Sequence, residues 1–146
     1  MKRRVALGVA WAFAASCCAA AEFKSIAEGT VLYDAPSVKA HKLAILQRDY
    51  PVEMVVALQD WAKVRDATGA LSWLERKHLS DRRTLLVKAE LAQVRGAPSD
   101  SSPVVFQAAR DVVLTFLETA TVDGWLKVAH ADGHTGYVRT AQVWGG

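Results

Sequence analysis

Trp61-Ala62-Lys63-Val64-Arg65, a turn closing on Gly69, and Leu71-Ser72-Trp73-Leu74 return later in the chain as Trp125-Leu126-Lys127-Val128-Ala129, a turn closing on Gly133, and Thr135-Gly136-Tyr137-Val138. The match extends upstream. Asp34-Ala35-Pro36-Ser37 and Arg48-Asp49 recur as Gly96-Ala97-Pro98-Ser99 and Arg110-Asp111, at an offset of 62 residues that becomes 64 from the tryptophans onward. A shared order with one small insertion means two copies of a single unit, and a repeat decides architecture before any other feature does.

Each copy reads as short strands parted by turns. In the first, Thr30 to Tyr33, Leu43 to Leu46, Pro51 to Val56, Trp61 to Asp66 and Leu71 to Glu75 are β-prone runs, and Arg76-Lys77-His78-Leu79 suits one turn of helix. Five strands in about sixty residues are too few for a sandwich and enough for a small barrel. In the second copy, Asp123-Gly124 and Asp132-Gly133 supply the positive φ angles that tight hairpins need. Between the copies, Arg83 to Val87 reads as a strand and no Gly/Ser-rich tether occurs, so the two units are expected to be docked. The expected boundaries are 22–87 for the first unit and 88–146 for the second.

Residues 1–21 read as a secretory signal. Lys2-Arg3-Arg4 is a positive start, Val5 to Ala15 an apolar run too short for an ordinary membrane span, and Ala19-Ala20-Ala21 a small-residue cleavage site before Glu22. A rival use of the segment is a lipoprotein box at Ala15-Ser16-Cys17, although Ala14 stands where that box usually has leucine. Both cysteines, Cys17 and Cys18, lie in the segment, so disulfides and thiol chemistry leave with it. Of 18 Lys and Arg, Lys2, Arg3 and Arg4 also leave, which balances 15 basic against 15 acidic residues. A balanced mature chain lacks the electrostatic footprint of a nucleic-acid binder. A periplasmic or secreted protein with no membrane span is the expectation.

Trp-x-Lys-Val, a turn glycine, then Gly/Ser-Tyr/Trp-Val/Leu resembles the carboxy-terminal signature of bacterial Src-homology-3-like (bacterial SH3) domains. Phe23 to Ile26, Pro51-Val52-Glu53 and Leu79 to Val87 add to the resemblance in the first copy. It implies an all-β chain of two tandem, small, five-stranded SH3-like β-barrels from a cell envelope. The chain departs from the family at its Asn-Leu-Arg and Gly-Pro-Gly type loop, which here reads Val31-Leu32-Tyr33 with Ala35-Pro36-Ser37, and Gln93-Val94-Arg95 with Ala97-Pro98-Ser99. Ser72 also replaces the family's glycine, which the second copy keeps as Gly136.

Alternation along the strands puts Trp61 on one face with Lys63 and Arg65, while Ala62 and Val64 face the other way. By the same rule Trp125 sides with Lys127, Trp73 with Glu75, and Tyr137 with Arg139. Each barrel is thus expected to show two aromatics on a half-exposed face, Trp61 and Trp73 in the first unit and Trp125 and Tyr137 in the second. These are the ligand-binding candidates together with Tyr33, whose Tyr33-Asp34 pair echoes a groove motif of eukaryotic Src-homology-3 domains. Two uses are open to the tryptophans, a ligand groove or cover for the seam between units. In eukaryotic relatives the matching tryptophan lines a polyproline groove, but the proline and tyrosine that complete that groove correspond to Glu75-Arg76-Lys77-His78 and Arg139-Thr140-Ala141-Gln142.

His130 and His134 flank Asp132-Gly133 on opposite arms of a hairpin with no further ligand near, short of the three or four that zinc usually takes. No metal and no cofactor are expected. Arg76-Lys77-His78 and Arg82-Arg83 around Asp81 read as a solvated surface. Cysteine is gone and no Gly-x-Ser-x-Gly elbow occurs, so nothing prepares a nucleophile and an enzyme is not expected. Two functions stay open. One is a non-catalytic envelope module that recognises peptidoglycan or its peptides, as the family resemblance implies. The other is a periplasmic scaffold that binds a protein and does not touch the wall.

Overall fold

The computed structural model describes residues 20–120 and 122–146. The expected signal and both cysteines therefore lie outside the described residues, apart from the cleavage region at Ala20 and Ala21. Along the first unit run β1 (Glu22–Ile26), β2 (Thr30–Tyr33), β3 (Lys42–Leu46), β4 (Pro51–Ala57), β5 (Trp61–Arg65), β6 (Leu71–Glu75), a single 3-10 turn at Arg76–His78, and β7 (Leu79–Ser80). The second unit repeats the series as β8 (Thr84–Val87), β9 (Leu91–Arg95), β10 (Val104–Ala109), β11 (Val113–Thr119), β12 (Trp125–Ala129), β13 (Thr135–Arg139), a 3-10 turn at Thr140–Gln142, and β14 (Val143–Trp144).

The chain is all-β, as its strand patterns require, with two antiparallel sheets of identical topology. Their orders are β3-β2-β6-β5-β4-β1-β7 and β10-β9-β13-β12-β11-β8-β14. The strand count of five is corrected to seven, and neither SH3-like unit is a closed barrel. The two extra strands are the opening strand and the two-residue strand after the 3-10 turn, which pair with each other: Ile26 faces Leu79, and Val87 faces Val143. The strand after each 3-10 turn has two residues and the second unit's opening strand is buried throughout, while Glu22–Ile26 runs from exposed to buried along its length, so none shows an alternating pattern. Thr84–Val87, assigned above to the first unit, hydrogen-bonds within the second sheet. The structural joint is Asp81 to Arg83.

Alternation does set the inner face. Ala62 and Val64 of β5 and Leu74 of β6 are fully buried with Ile26, Leu32 and Val52, and the second unit buries Ala92, Val94, Leu114, Val128 and Val138 in the corresponding places. The Arg-Asp motif is a turn device. Asp49 and Asp111 hold φ of 65° and 68°, the left-handed region that aspartate tolerates better than most side chains. Each then donates its amide to the opening strand of its own unit, Asp49 to the Ile26 carbonyl at 2.7 Å and Asp111 to the Val87 carbonyl at 2.9 Å. The two-residue insertion falls between β11 and β12, where residues 120–124 replace the three-residue link 58–60. Gly124 and Gly133 have φ of 84° and 92°, as the Asp-Gly turns require.

The two units are docked through a seam built on consecutive arginines. The Arg83 guanidinium lies 5.8 Å from the Phe23 ring centre and 5.2 Å from that of Phe116, and it donates to the Gly145 carbonyl at 3.2 Å. Arg82 donates to Asp49 Oδ1 at 3.3 Å and to Thr115 Oγ1 at 2.9 Å. Thr84, buried, donates its hydroxyl to the Asp49 carbonyl at 2.7 Å, and Phe23 meets Trp144 edge to face at 5.3 Å. Arg82 and Arg83 are therefore seam residues; Arg82 stays exposed at the seam's rim, and partly buried Arg83 is the one of the two that departs from their reading as solvated surface. The aromatics of the seam are Phe23, Phe116 and Trp144.

Candidate functional site

The first unit's groove starts from the turn Ala35-Pro36-Ser37. Ser37 donates its amide to the Ala35 carbonyl at 2.8 Å, and Asp34 Oδ1 accepts the His41 amide at 3.0 Å, so the loop between β2 and β3 closes on itself. That loop forms one wall, with Pro36 and Val38 toward the groove. The β4–β5 link forms the other, held by Arg76, whose Nη1 donates to the carbonyls of Leu58 at 2.9 Å and Gln59 at 3.3 Å while its amide donates to the Asp60 carbonyl at 2.9 Å. Between the walls lies an open hollow of about 490 Å³ with Trp61 at its base and Glu75 to Lys77 at its end.

Trp61 is half-buried, its ring edge to face with Tyr33 at 5.5 Å. Tyr33 is only 8 % exposed, so it supports Trp61 from beneath and offers a ligand little surface of its own. Trp73 is half-buried beyond the hollow, with the Lys63 ammonium 5.9 Å from its ring centre. Glu75 pairs with Lys77 at 3.0 Å and His78 at 3.5 Å, and the Lys77 hydrogen bond holds its carboxyl below the usual range. Among the described residues Asp60 makes no side-chain ion pair, and its carboxylate borders the hollow.

The second unit presents a different surface. Trp125 is 3 % exposed, which corrects its placement on a half-exposed face. The Arg139 guanidinium lies 4.7 Å from its ring centre and holds the Asp100 carboxylate with two donors, Nε to Oδ1 at 3.2 Å and Nη2 to Oδ2. A hollow of about 150 Å³ lies beside that pair and extends to Gln93 and Arg95, with no residue of the β11–β12 link in its lining. Tyr137 is half-buried opposite Lys127 and Arg95 in the strand register. Sequence reasoning therefore found Trp61, and missed Pro36, Val38, Asp60 and Arg76 around it. The signal for the Arg139–Asp100 pair over Trp125 was in the repeat alignment, where Arg139 takes the place of Glu75 and Asp100 that of Val38.

The histidines do converge, contrary to the expected separation. His130 Nδ1 and His134 Nδ1 lie 3.1 and 3.0 Å from Asp132 Oδ1, and both rings pack beside Phe106. The His134 amide, donating at 3.0 Å, is the main reason the Asp132 carboxyl is lowered to about 2. Among the described residues no group of three or more His, Cys, Asp or Glu has the geometry to hold a metal. The first unit's matching turn uses Asp66 alone, which accepts the amides of Thr68 and Ala70. The hairpin tip is a turn lock.

The bacterial SH3 domain family matches residues 27–81 and again 88–145, one match in each unit. The chain belongs to the bacterial SH3 domain family. No curated protein matches it. Among solved structures it is similar to NlpC2 from Trichomonas vaginalis, at 18 % identity and a TM-score of 0.39 over 85 % of this chain and 48 % of that one. NlpC1 from the same organism gives 18 % and 0.39, over 84 % of this chain and 45 % of its own. An NlpC/P60 family protein from Bacillus cereus gives 14 % and 0.38, over 84 % and 56 %. This bacterial SH3 chain thus spans about half the length of the structures it matches. Among the described residues no helix is long and apolar enough to cross a membrane.

Proposed function

We propose that this chain is a non-catalytic cell-envelope binding module of the bacterial SH3 type, exported by a signal in residues 1–21, that recognises peptidoglycan or its peptides. The observation that carries the reading is the open groove over Trp61, about 490 Å³, with an aromatic base and polar edges at Asp60 and Lys77. Such a groove suits a peptide laid across an indole, with backbone and side-chain polar groups fixing its direction. The wall material is the ligand class that bacterial SH3 domains often take, and no cofactor enters the scheme.

The test is co-sedimentation of the mature protein with isolated sacculi, beside a folded Trp61→Ala variant. Pelleting by the parent that falls at least about tenfold in the variant, the order expected for a central aromatic anchor, is the expected result. A parent that stays in the supernatant would sink the wall reading. A second reading, a periplasmic protein scaffold, is favoured by the edge strand β3, where Leu43 is 51 % and Ile45 72 % exposed. An unpaired strand edge with apolar side chains is a surface for strand addition by a partner protein.

A further inference from the structure

We propose that the second unit's tryptophan groove is closed from within by Arg139, so that among the described residues one tryptophan groove stands open and Arg139 with Asp100 sets how many ligands such grooves take. The inference rests on the groove reading above for what binds, but not for the closure itself. Trp125 stands where Trp61 stands in the first unit, and the two units share strand order and register around it. Besides the longer link between β11 and β12, the pair of residues that flank the indole differs. In the first unit these are Val38, which carries no charge, and Glu75, whose carboxylate turns away to Lys77 and His78. Nothing spans Trp61.

In the second unit the same two places hold Asp100 and Arg139, of opposite charge, and they join across the tryptophan. The planar guanidinium takes the indole face at 4.7 Å, and the carboxylate of the loop between β9 and β10 takes its donors. Arg95 assists by donating to the Ser102 carbonyl at 2.7 Å, which ties the far end of that loop to β9. Each contact consumes a resource a ligand would use: the ring face, the loop's charge and the space between the walls. Beneath these contacts Trp125 is 3 % exposed, and the hollow beside it, about 150 Å³, borders Gln93 and Arg95 and not the β11–β12 link, whose counterpart walls the first unit's groove.

The closure is a latch and not a core. The Arg139 and Asp100 side chains remain 43 % and 67 % exposed, and a single exposed ion pair is weak and screened by salt. Opening it requires only that the pair be broken, since the indole beneath belongs to a strand fixed on both sides by β11 and β13.

The experiment uses the mature chain with assigned indole signals in NMR, and two variants, Arg139→Ala and Asp100→Asn. A neutral soluble paramagnetic agent first reports exposure with no ligand present. The Trp61 ring signals are expected to broaden strongly and those of Trp125 weakly in the parent, with Trp125 broadening several-fold more in either variant. Soluble muropeptides released from sacculi by a muramidase are then titrated in. Trp61 alone is expected to shift in the parent, and both tryptophans in the variants. A Trp125 as accessible as Trp61 in the parent, or unchanged in both folded variants, overturns the latch, as does a parent Trp125 that shifts with muropeptide. If the exposure contrast holds and muropeptides shift neither indole in any variant, the latch stands and the wall reading fails.

Discussion

Replacing Arg83 with alanine removes a side chain that touches the opening strand, the β11 strand and the C-terminal segment together. Its guanidinium faces two rings, Phe23 at 5.8 Å and Phe116 at 5.2 Å, each contact contributing about 0.5–1 kcal/mol at a partly exposed place. Its bond to the Gly145 carbonyl, from a charged donor, contributes about 1.5 kcal/mol. One term opposes these: Arg83 Nε is buried without a partner, and the alanine relieves that penalty of about 1 kcal/mol. The net loss is about 2 kcal/mol. In urea, with a slope of about 2 kcal/mol per molar for a chain of this size, the midpoint should fall by about 1 M. Arg83→Met, which keeps the apolar stem between the rings, should recover part of the loss. The seam also links the cooperativity of the two sheets, so fluorescence from Trp61 and from Trp144 should follow one transition in the parent and separate in the alanine variant. A midpoint unchanged by the substitution, or a double-mutant cycle with Phe116→Leu that gives no coupling, would refute the assignment of the seam to Arg83.

Gly136→Ala should destabilise the second unit by about 1–3 kcal/mol in thermal or urea unfolding, because a Cβ there would lie 2.7 Å from both the Arg95 carbonyl oxygen and Val94 Cγ1; a variant as stable as the parent would contradict the close approach of β9 and β13. At low pH the hairpin tip at Asp132 should loosen late. Its folded carboxyl is lowered to about 2, so its contribution to stability is whole above the unfolded carboxyl's range, near 4, and is lost as pH falls through the folded value. The His134 amide resonance should therefore titrate with a midpoint near 2, and a midpoint near 4 would mean that the hydrogen bond from His134 is not made.

The two strands of the tryptophan hairpin were readable because their chemistry alternates: Trp61 to Arg65 and Leu71 to Glu75 place a buried residue at every second position, and the structure buries those residues. Thr84 to Val87 shows no alternation because all four side chains are buried, so its membership in the second sheet rests on pairing partners about 30 and about 60 residues away that a local pattern does not contain. The groove was half readable for a related reason. Trp61 announces itself by residue type and by the repeat, whereas Arg76 acts by reaching back to the carbonyls of Leu58 and Gln59. Trp125 looked equivalent to Trp61 because alternation fixes only the side of the sheet a residue is on. What covers that side depended on Arg139 meeting Asp100, 39 residues apart.

The two opening strands, Glu22–Ile26 and Thr84–Val87, share almost no side chains and yet occupy the same slot: Ser25 lies between Pro51 and Ser80, and Leu86 between Val113 and Trp144. A folding chain therefore meets two segments that the backbone of either sheet would accept, the condition under which strands are exchanged within or between molecules. Sorting falls to side chains and to tether length. Glu22 and Lys24 at the rim would forfeit hydration in a slot closed on both faces, while the three residues from Asp81 to Arg83 leave Thr84 little reach beyond its own sheet. The same short joint that docks the units thus also keeps each strand at its proper address.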